Sequence, residues 1–255
     1  MSRSVGVVVP AFHPDVEQLR AYVEAIDDNL SPATIVVELD APRDGVPAVL
    51  ADLPADIETV PYRRGKGAAI TAGFERLDTD VYVFADADAS TPVDSLDRIL
   101  DRVRRGEGDL AVGSRRHPDS VVTSHQTFAR RFLGDGFAWL AGRLLAVDLY
   151  DYQCGAKAIT ADAWDQVRRH IYEPGFAWDV ELVAMAGALD QRVVEVPIEW
   201  EDKPGSTVSP VRTSVALLRA LLAARHRAKQ LSDSRFHTAI AARREDPTAL
   251  VEQER

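Results

Sequence analysis

Short runs of apolar, β-favouring residues alternate along the first half of the chain with segments in which apolar residues recur at helical spacing. A short apolar run predicts a strand that is buried on both faces, whereas spacings of three and four predict an amphipathic helix. Strands are predicted at residues 5–9, 34–39, 57–60, 81–85 and 110–113, and helices at residues 15–29, 65–74 and 96–103. This alternation predicts an α/β fold, with a mostly parallel central sheet and helices on both faces.

The second half of the chain departs from this regular alternation. Helices are predicted at residues 128–146, 161–170, 179–189 and 211–230, and strands at residues 150–160 and 193–200. We divide the chain into one domain at 1–207, a basic amphipathic helix at 208–231, and a polar, loosely ordered tail at 232–255. The basic helix has two interpretations. It lies on an anionic membrane surface, or it packs on the domain with its arginines in water.

Composition excludes several classes of protein. The net charge is −10, and because a nucleic-acid-binding surface needs a basic excess, we expect no nucleic acid partner. The single Cys154 cannot form an intrachain disulfide, which is compatible with a reducing cytosol. The acid-rich, lysine-poor composition resembles that of proteins from salt-loving archaea. No signal peptide or transmembrane helix is predicted, so we expect a soluble or peripheral protein at the cytoplasmic face of the cell membrane.

Two aspartates follow the apolar run at residues 81–85. This run predicts a buried parallel strand, so Asp86 and Asp88 lie at its carboxyl end, where open α/β sheets bind ligands. Residues i and i+2 of an extended segment point the same way, so both carboxylates can converge on one ligand. Such hard oxygen donors suit Mg2+ or Mn2+, with phosphate and water oxygens completing the shell. The alternative is a loop in which both aspartates only cap the next helix.

Further candidate residues follow the carboxyl ends of other predicted strands. Pro10 and Ala11 follow the first strand, and Asp40 follows the second. Lys66 lies between two glycines after the third strand. A bound nucleotide needs groups of this kind, namely a carboxylate for base or ribose, main-chain amides at a glycine turn, and a cation for its diphosphate. Lys66 does not form a Walker loop, and the alternative is a solvated loop lysine.

Seven short blocks extend this pattern along the chain. They are Val-Val-Val-Pro-Ala at 7–11, Arg-Gly-Lys-Gly-Ala-Ala at 64–69, Phe-Ala-Asp-Ala-Asp-Ala-Ser-Thr-Pro at 84–92, Val-Gly-Ser-Arg at 112–115, Tyr-Asp-Tyr-Gln-Cys-Gly-Ala-Lys at 150–157, Phe-Ala-Trp-Asp-Val-Glu-Leu at 176–182, and Val-Glu-Val-Pro-Ile-Glu-Trp at 194–200. Each block alone is a weak signal. Together, over residues 5–207, they resemble the family 2 glycosyltransferases of the GT-A fold, and within them the dolichyl- or polyprenyl-phosphate glucosyl- and mannosyltransferases.

The resemblance implies a role for each matching residue. The implied donor-binding residues are Pro10, Ala11, Asp40, Lys66 and Asp86. The implied catalytic residues are Asp86, Asp88, Asp151 and Lys157, of which Asp86 and Asp88 would bind Mg2+ or Mn2+. The implied acceptor-binding residues are Arg115, Arg130, Arg131, Gln153, Trp178 and Asp179. On spacing alone, Arg130 and Arg131 are better explained as a solvated helix face, and the last two residues could simply begin a helix.

The chain departs from the family pattern in three places. The family usually has Tyr-Asn-Glu where this chain has Phe-His-Pro at 12–14. The family's Asp-Asp-Gly-Ser block is Leu-Asp-Ala-Pro at 39–42 in this chain, so one carboxylate of the pair is lost. These two changes affect residues that the resemblance places near the nucleotide base, so the sequence does not distinguish a UDP-sugar from a GDP-sugar as the donor. Gly134 stands where many relatives have a serine near the acceptor phosphate.

The resemblance implies a metal-dependent, inverting transfer of a hexose from a UDP- or GDP-sugar to a polyprenyl (dolichyl) phosphate, for glycan or protein glycosylation. The expected partners are a nucleotide sugar, a polyprenyl phosphate lipid and a membrane surface. One alternative keeps the donor but moves the sugar to a soluble or glycan hydroxyl. Another is a catalytically silent scaffold for a membrane partner, against which the intact Asp86, Asp88 and Lys66 argue.

Overall fold

A computed structural model describes residues 3–123, 128–201, 210–232 and 248–253, without the side chains of 128–133 and 210–214. In this part of the chain the strands are β1 (Val5–Phe12), β2 (Thr34–Asp40), β3 (Asp56–Val60), β4 (Val81–Ala85), β5 (Leu110–Ser114), β6 (Val121–Thr123), β7 (Ala156–Thr160), β8 (Val193–Pro197) and β9 (Glu199–Glu201). The helices are α1 (Val16–Leu30), α2 (Val46–Leu50), α3 (Lys66–Phe74), α4 (Val93–Arg104), α5 (Phe128–Leu144), α6 (Ala161–Val167), α7 (Trp178–Ala188) and α8 (Pro210–Leu231).

The main sheet has the strand order β3-β2-β1-β4-β7-β5-β8, in which only β7 runs antiparallel to its neighbours. Successive strand residues point into two apolar layers. Val7 and Val9 enter a layer that includes α1 and α4, whereas Val8 enters one that includes α3, α6 and α7. Each central strand is therefore buried on both faces, which explains its continuous apolar sequence. The predicted mostly parallel sheet with helices on both faces is confirmed.

One predicted strand is shorter than its sequence pattern suggested. Residues 150–160 were predicted as a strand, but only Ala156–Thr160 forms β7. The backbone N–H groups of Tyr150 and Asp151 instead donate to the carboxylate of Glu195, at 3.0 and 2.8 Å. Because side chains take these donors, residues 150–155 form an irregular segment whose groups lie at the edge of the sheet.

A second predicted strand, at residues 193–200, is divided in two. β8 ends at Pro197, and β9 leaves the main sheet to pair with β6. A proline has no N–H to donate, so it is a natural point for the ladder to stop. The three residues of β6 are all exposed, and a strand with no buried face leaves no hydrophobic pattern by which it could be predicted.

The predicted basic helix is present as α8. It packs through Leu217, Leu221 and Ala224, which are buried, while Val215 and Leu222 on its other side are exposed. Much of the predicted tail lies outside the described residues. Of its described part, Ala249 is buried and the next residue donates its N–H to the carbonyl of Ile171, so 248–253 lie against the domain. Among the described helices, we find none with the length and apolar character needed to cross a bilayer.

Candidate functional site

The carboxyl end of β4 meets the start of β7 at the centre of one edge of the sheet. The N–H of Asp86 donates to the carbonyl of Gly155 at 2.9 Å. A Cβ added at Gly155 would collide with the Asp86 carboxylate, so only glycine allows this close approach. The antiparallel β7 thereby delivers residues 151–157 to the same edge that the parallel strands reach with their carboxyl ends.

Lys66 joins two carboxylates at this edge. It is the first residue of α3, and Gly65 before it has φ of +106°, a conformation that residues with side chains rarely adopt. The Lys66 ammonium lies 2.9 Å from Asp86 Oδ1 and 3.1 Å from Asp179 Oδ2. Burial opposes the charged form, but the carboxylates of Asp179 and Asp86 outweigh it and raise the pKa of Lys66. The site therefore contains a lysine that stays cationic.

Asp179 is shared by two lysines. Its Oδ1 lies 2.5 Å from the Lys157 ammonium, which also donates to the carbonyl of Cys154 at 2.7 Å. Both side chains of this pair are only 1% exposed. Burial favours the neutral acid, but the charges of Lys157 and Lys66 prevail and lower the pKa of Asp179. Nothing in the sequence connects Lys157, Asp179 and Lys66. The fold brings them together in a row of alternating positive and negative side chains that ends at Asp86.

Asp86 and Asp88 present the accessible oxygens of the site. The Asp86 side chain is 37% exposed, and the pKa of its carboxyl is raised by partial desolvation, against which Lys66 acts. Asp88 is exposed and accepts the N–H of Ser90 at 3.0 Å. Two accessible carboxylates fit Mg2+ or Mn2+, which are held by one or two carboxylates together with substrate phosphates and water. Among the described residues no group of three or more potential metal-binding side chains occurs, so other oxygens would have to complete the coordination.

Arg115 follows β5 and forms a bidentate pair with Asp151. Its Nε and Nη2 lie 2.6 and 3.0 Å from the two carboxylate oxygens. Asp151 also accepts the N–H groups of Arg115 and Gln153. Burial favours protonation, but the Arg115 charge dominates the opposing effects and lowers the pKa of Asp151 to about 2. Asp151 is thus an anchor that orients Arg115.

Replacing Asp151 with asparagine is expected to remove part of the acid dependence of stability. The pKa of Asp151 falls from an ordinary 3.8 to about 2 on folding. Its charge therefore contributes stability above about pH 4, which is lost as pH falls to about 2. The shift corresponds to about 2 kcal/mol. Urea unfolding over this range should show the wild-type advantage shrinking with falling pH, and a constant difference would contradict the role given to the pair.

Asp40 holds the turn that leads to Lys66. Its carboxylate accepts the backbone N–H groups of Arg64 and Gly65 at 2.7 and 3.2 Å, and its other oxygen lies 2.8 Å from Arg64 Nε. Arg64 also pairs with the fully buried Glu38 at 2.8 Å. Sequence reasoning missed both Arg64 and Glu38. A charged residue within the apolar run at 34–39 was the signal for Glu38, because such a residue needs a partner when its strand is buried.

The remaining predicted residues fall into three groups. Gln153 has a buried Nε2 with no hydrogen-bond partner among the described atoms, so this amide can donate to a ligand. Trp178 is fully buried and donates its indole N–H to Thr71, which places it beneath the site. Arg130 and Arg131 lie in α5, but their side chains are outside the described residues. The binding roles predicted for these four residues stay predictions.

The donor-side residues Pro10 and Ala11 occupy the end of β1, in register with Glu38 and Leu39 of β2. Their neighbour Asp40 lies at the end of β2. The predicted grouping of strand ends along one edge is therefore present. The individual roles of these residues, like the catalytic roles of Asp151 and Lys157, stay predictions.

Two known proteins are similar in sequence to most of this chain. Glycosyltransferase AglD of Haloferax volcanii is 32% identical over 219 residues, which are 82% of this chain and 35% of that protein. Dolichyl-phosphate beta-glucosyltransferase ALG5C of Trichomonas vaginalis is 27% identical over 214 residues, 76% of this chain and 63% of that protein. The chain thus spans between about one third and two thirds of the length of these relatives.

A solved structure confirms the predicted GT-A fold. It is glucosyl-3-phosphoglycerate synthase from Mycobacterium tuberculosis in complex with Mn2+, UDP-glucose and phosphoglyceric acid, with a TM-score of 0.67 over 88% of this chain and 80% of that chain. The identity is 15%, so this likeness concerns the fold alone. Residues 6–144, more than half of the chain, match the family model described as glycosyl transferase family 2. The predicted resemblance is confirmed, and the chain belongs to glycosyl transferase family 2.

Proposed function

We propose that this chain is a metal-dependent, inverting glycosyltransferase that moves a hexose from a UDP- or GDP-sugar to a polyprenyl (dolichyl) phosphate. The observation that carries the proposal is the alternating charge at the carboxyl end of β4, where Lys66 lies between Asp86 and Asp179. Lys66 remains charged next to Asp86, and Asp86 and Asp88 are both accessible. A cation and two carboxylates of this kind are suited to a diphosphate with a divalent metal ion. The two relatives described above, a glycosyltransferase and a dolichyl-phosphate beta-glucosyltransferase, support both the sugar transfer and the lipid phosphate.

On the donor side, Asp86 and Asp88 would hold the Mg2+ or Mn2+ ion. When bound, the metal supplies a positive charge that stabilises the leaving diphosphate. Lys66 adds a second positive charge, and its raised pKa keeps it protonated near neutral pH. Asp40 and Arg64 hold the Gly65 turn, so the chain fixes the start of α3, and with it Lys66, before the donor binds.

On the acceptor side, the nucleophile needs orientation more than activation. The second pKa of a phosphate monoester is about 6, so it is mostly ionised near neutral pH. Asp151 holds the Nε and Nη2 edge of Arg115, so Nη1 on the opposite edge of the guanidinium is directed away from Asp151. Arg115 also lies 5.6 Å from the Trp200 ring. Its guanidinium is suited to binding the acceptor phosphate oxygens.

The reaction that these groups support is a single displacement. An acceptor phosphate oxygen forms a bond to the anomeric carbon as the bond to the nucleoside diphosphate oxygen breaks on the opposite face. The electron pair of the broken bond leaves with the diphosphate, next to Lys66. No proton has to be removed from an ionised phosphate, so Asp151 can remain paired with Arg115 throughout.

The outer face of α8 supports a peripheral contact with an anionic membrane at the cytoplasmic side. Val215, Leu218 and Leu222 are 48%, 41% and 51% exposed and recur at helical spacing. The helix contains arginines and a lysine but no acidic residue, in a chain whose net charge is −10. An apolar stripe flanked by cations is the composition of a helix that lies in a lipid interface.

A donor and acceptor panel tests the proposal. Purified protein is incubated with radiolabelled UDP- and GDP-sugars, Mg2+ or Mn2+, and dolichyl phosphate in vesicles with or without phosphatidylserine. We expect label in the lipid fraction with one class of donor, and stronger sedimentation with the anionic vesicles. Label only in a water-soluble glycan would favour the hydroxyl acceptor. The absence of both transfer and donor hydrolysis would favour a catalytically silent scaffold.

A further inference from the structure

We propose that Arg227 of α8 is a positioning residue for Lys66, acting through Glu181 and the loop at 172–175. The connection links the helix proposed to contact the membrane with the lysine proposed to contact the donor diphosphate. Its kinetic consequences rest on the proposed function, whereas its structural consequences do not.

The first link joins α8 to α7. The Arg227 guanidinium forms an ion pair with Oε1 of Glu181, and its Cζ lies 4.4 Å from the centre of the Tyr172 ring. Glu181 is 2% exposed, so its charge requires partners from the protein. Arg227 therefore contacts both the buried carboxylate of Glu181 and Tyr172, the first residue of the loop.

The second link joins α7 to the loop. Glu181 Oε2 accepts the N–H groups of Tyr172 and Glu173, at 2.8 and 2.7 Å. Burial raises the pKa of Glu181, and the Arg227 charge opposes that rise. Without Arg227, a buried carboxylate would keep its two N–H donors but lose its cation, which weakens its hold on the loop.

The third link joins the loop to α3. The Pro174 carbonyl accepts the N–H of Ala68 at 3.0 Å. Ala68 lies in the first turn of α3, where backbone N–H groups lack partners within the helix. A Cβ at Gly65 would lie 2.5 Å from the same carbonyl, so the loop packs directly against the turn before Lys66. Beyond the loop, the ring of Phe176 lies 5.7 Å from the Lys66 ammonium.

Apolar contacts hold α8 on the domain independently of Arg227. Leu217, Leu221, Ala224 and Ala228 are all buried, and the last three belong to the apolar layer that includes α7. An Arg227→Met variant should therefore keep α8 in place while removing the ion pair. Arg225→Met removes the same charge two residues away and is the matched control. Arg227→Lys keeps the charge but not the planar fork, so it should restore part of the effect.

Amide hydrogen exchange of the full chain tests the structural part. In Arg227→Met, peptides covering residues 64–74 and 171–178 should exchange about tenfold faster than in the wild type, since an ionic hydrogen bond is lost. Peptides covering β1 and β4 should be unchanged, and Arg225→Met should match the wild type throughout. The exchange rates of Arg227→Lys should lie between those of the wild type and Arg227→Met. If Arg227→Met does not fold, Arg227→Lys is compared directly with the wild type.

Transfer kinetics test the functional part. For Arg227→Met, kcat/KM for the nucleotide sugar should fall about tenfold, because a displaced Lys66 stabilises the leaving diphosphate less well, and Arg227→Lys should recover part of this loss. Unchanged exchange at 64–74, or a uniform increase over the whole sheet, would overturn the inference. A local increase in a protein that transfers no sugar would support the inference and overturn the proposed function.

Discussion

Replacing Asp88 with alanine is expected to abolish metal-dependent sugar transfer while leaving the fold intact. Asp88 is exposed, and among the described residues its carboxylate accepts one hydrogen bond, from the N–H of Ser90. Removing this side chain therefore disturbs little of the structure. By contrast, Asp86 is tied to Lys66 at 2.9 Å, and its replacement would also release the lysine. If Asp88 binds the metal, loss of several kcal/mol of transition-state stabilisation lowers kcat by about 10³-fold or more.

The measurement is the initial rate of transfer over a titration of Mg2+ and Mn2+. Thermal unfolding of the same sample reports whether the fold is intact. Asp97→Ala is the matched control, because Asp97 is an exposed aspartate of the neighbouring helix α4 and is expected to behave as the wild type. Turnover at the wild-type rate in Asp88→Ala would remove this residue from the metal site.

Asp179→Asn is expected to cause the largest loss of stability among single changes in the site. Asp179 and Lys157 are each 1% exposed and lie 2.5 Å apart, so the variant leaves a buried ammonium without its counter-charge. Breaking a buried ion pair from one side costs about 3–5 kcal/mol. The pKa of Lys66 should also fall toward its ordinary value, since Asp179 is the strongest of the charges that raise it.

Urea unfolding of the wild type and Asp179→Asn at constant salt measures this loss. The double variant Lys157→Met with Asp179→Leu is the informative comparison. It removes both buried charges, and it should be less destabilised than Asp179→Asn because no unpaired ion remains. A single variant within about 1 kcal/mol of the wild type would mean that the pair is effectively exposed to solvent.

The sequence predicted the edge of the sheet where the site lies because that location follows from local pattern. A buried parallel strand has an apolar sequence, and its carboxyl end is the residue where that sequence stops. Asp40, Lys66, Asp86 and Asp88 were found in this way. The start of β7 could not be predicted in this way, because residues 150 and 151 donate their N–H groups to the distant Glu195 instead of to a neighbouring strand. β6 could not be predicted either, because its three exposed residues carry no hydrophobic pattern.

By itself, the sequence determined the α/β alternation, the family and the candidate carboxylates at the end of β4. Each of these is written in residues that are neighbours along the chain. Only the tertiary structure decided which charges pair. Asp179 is 22 residues from Lys157 and 113 from Lys66, and Arg227 is 46 residues from Glu181. Such pairs have no local signal, because they arise when separate helices pack on one sheet and a buried charge must then be neutralised by whatever charge the packing brings near.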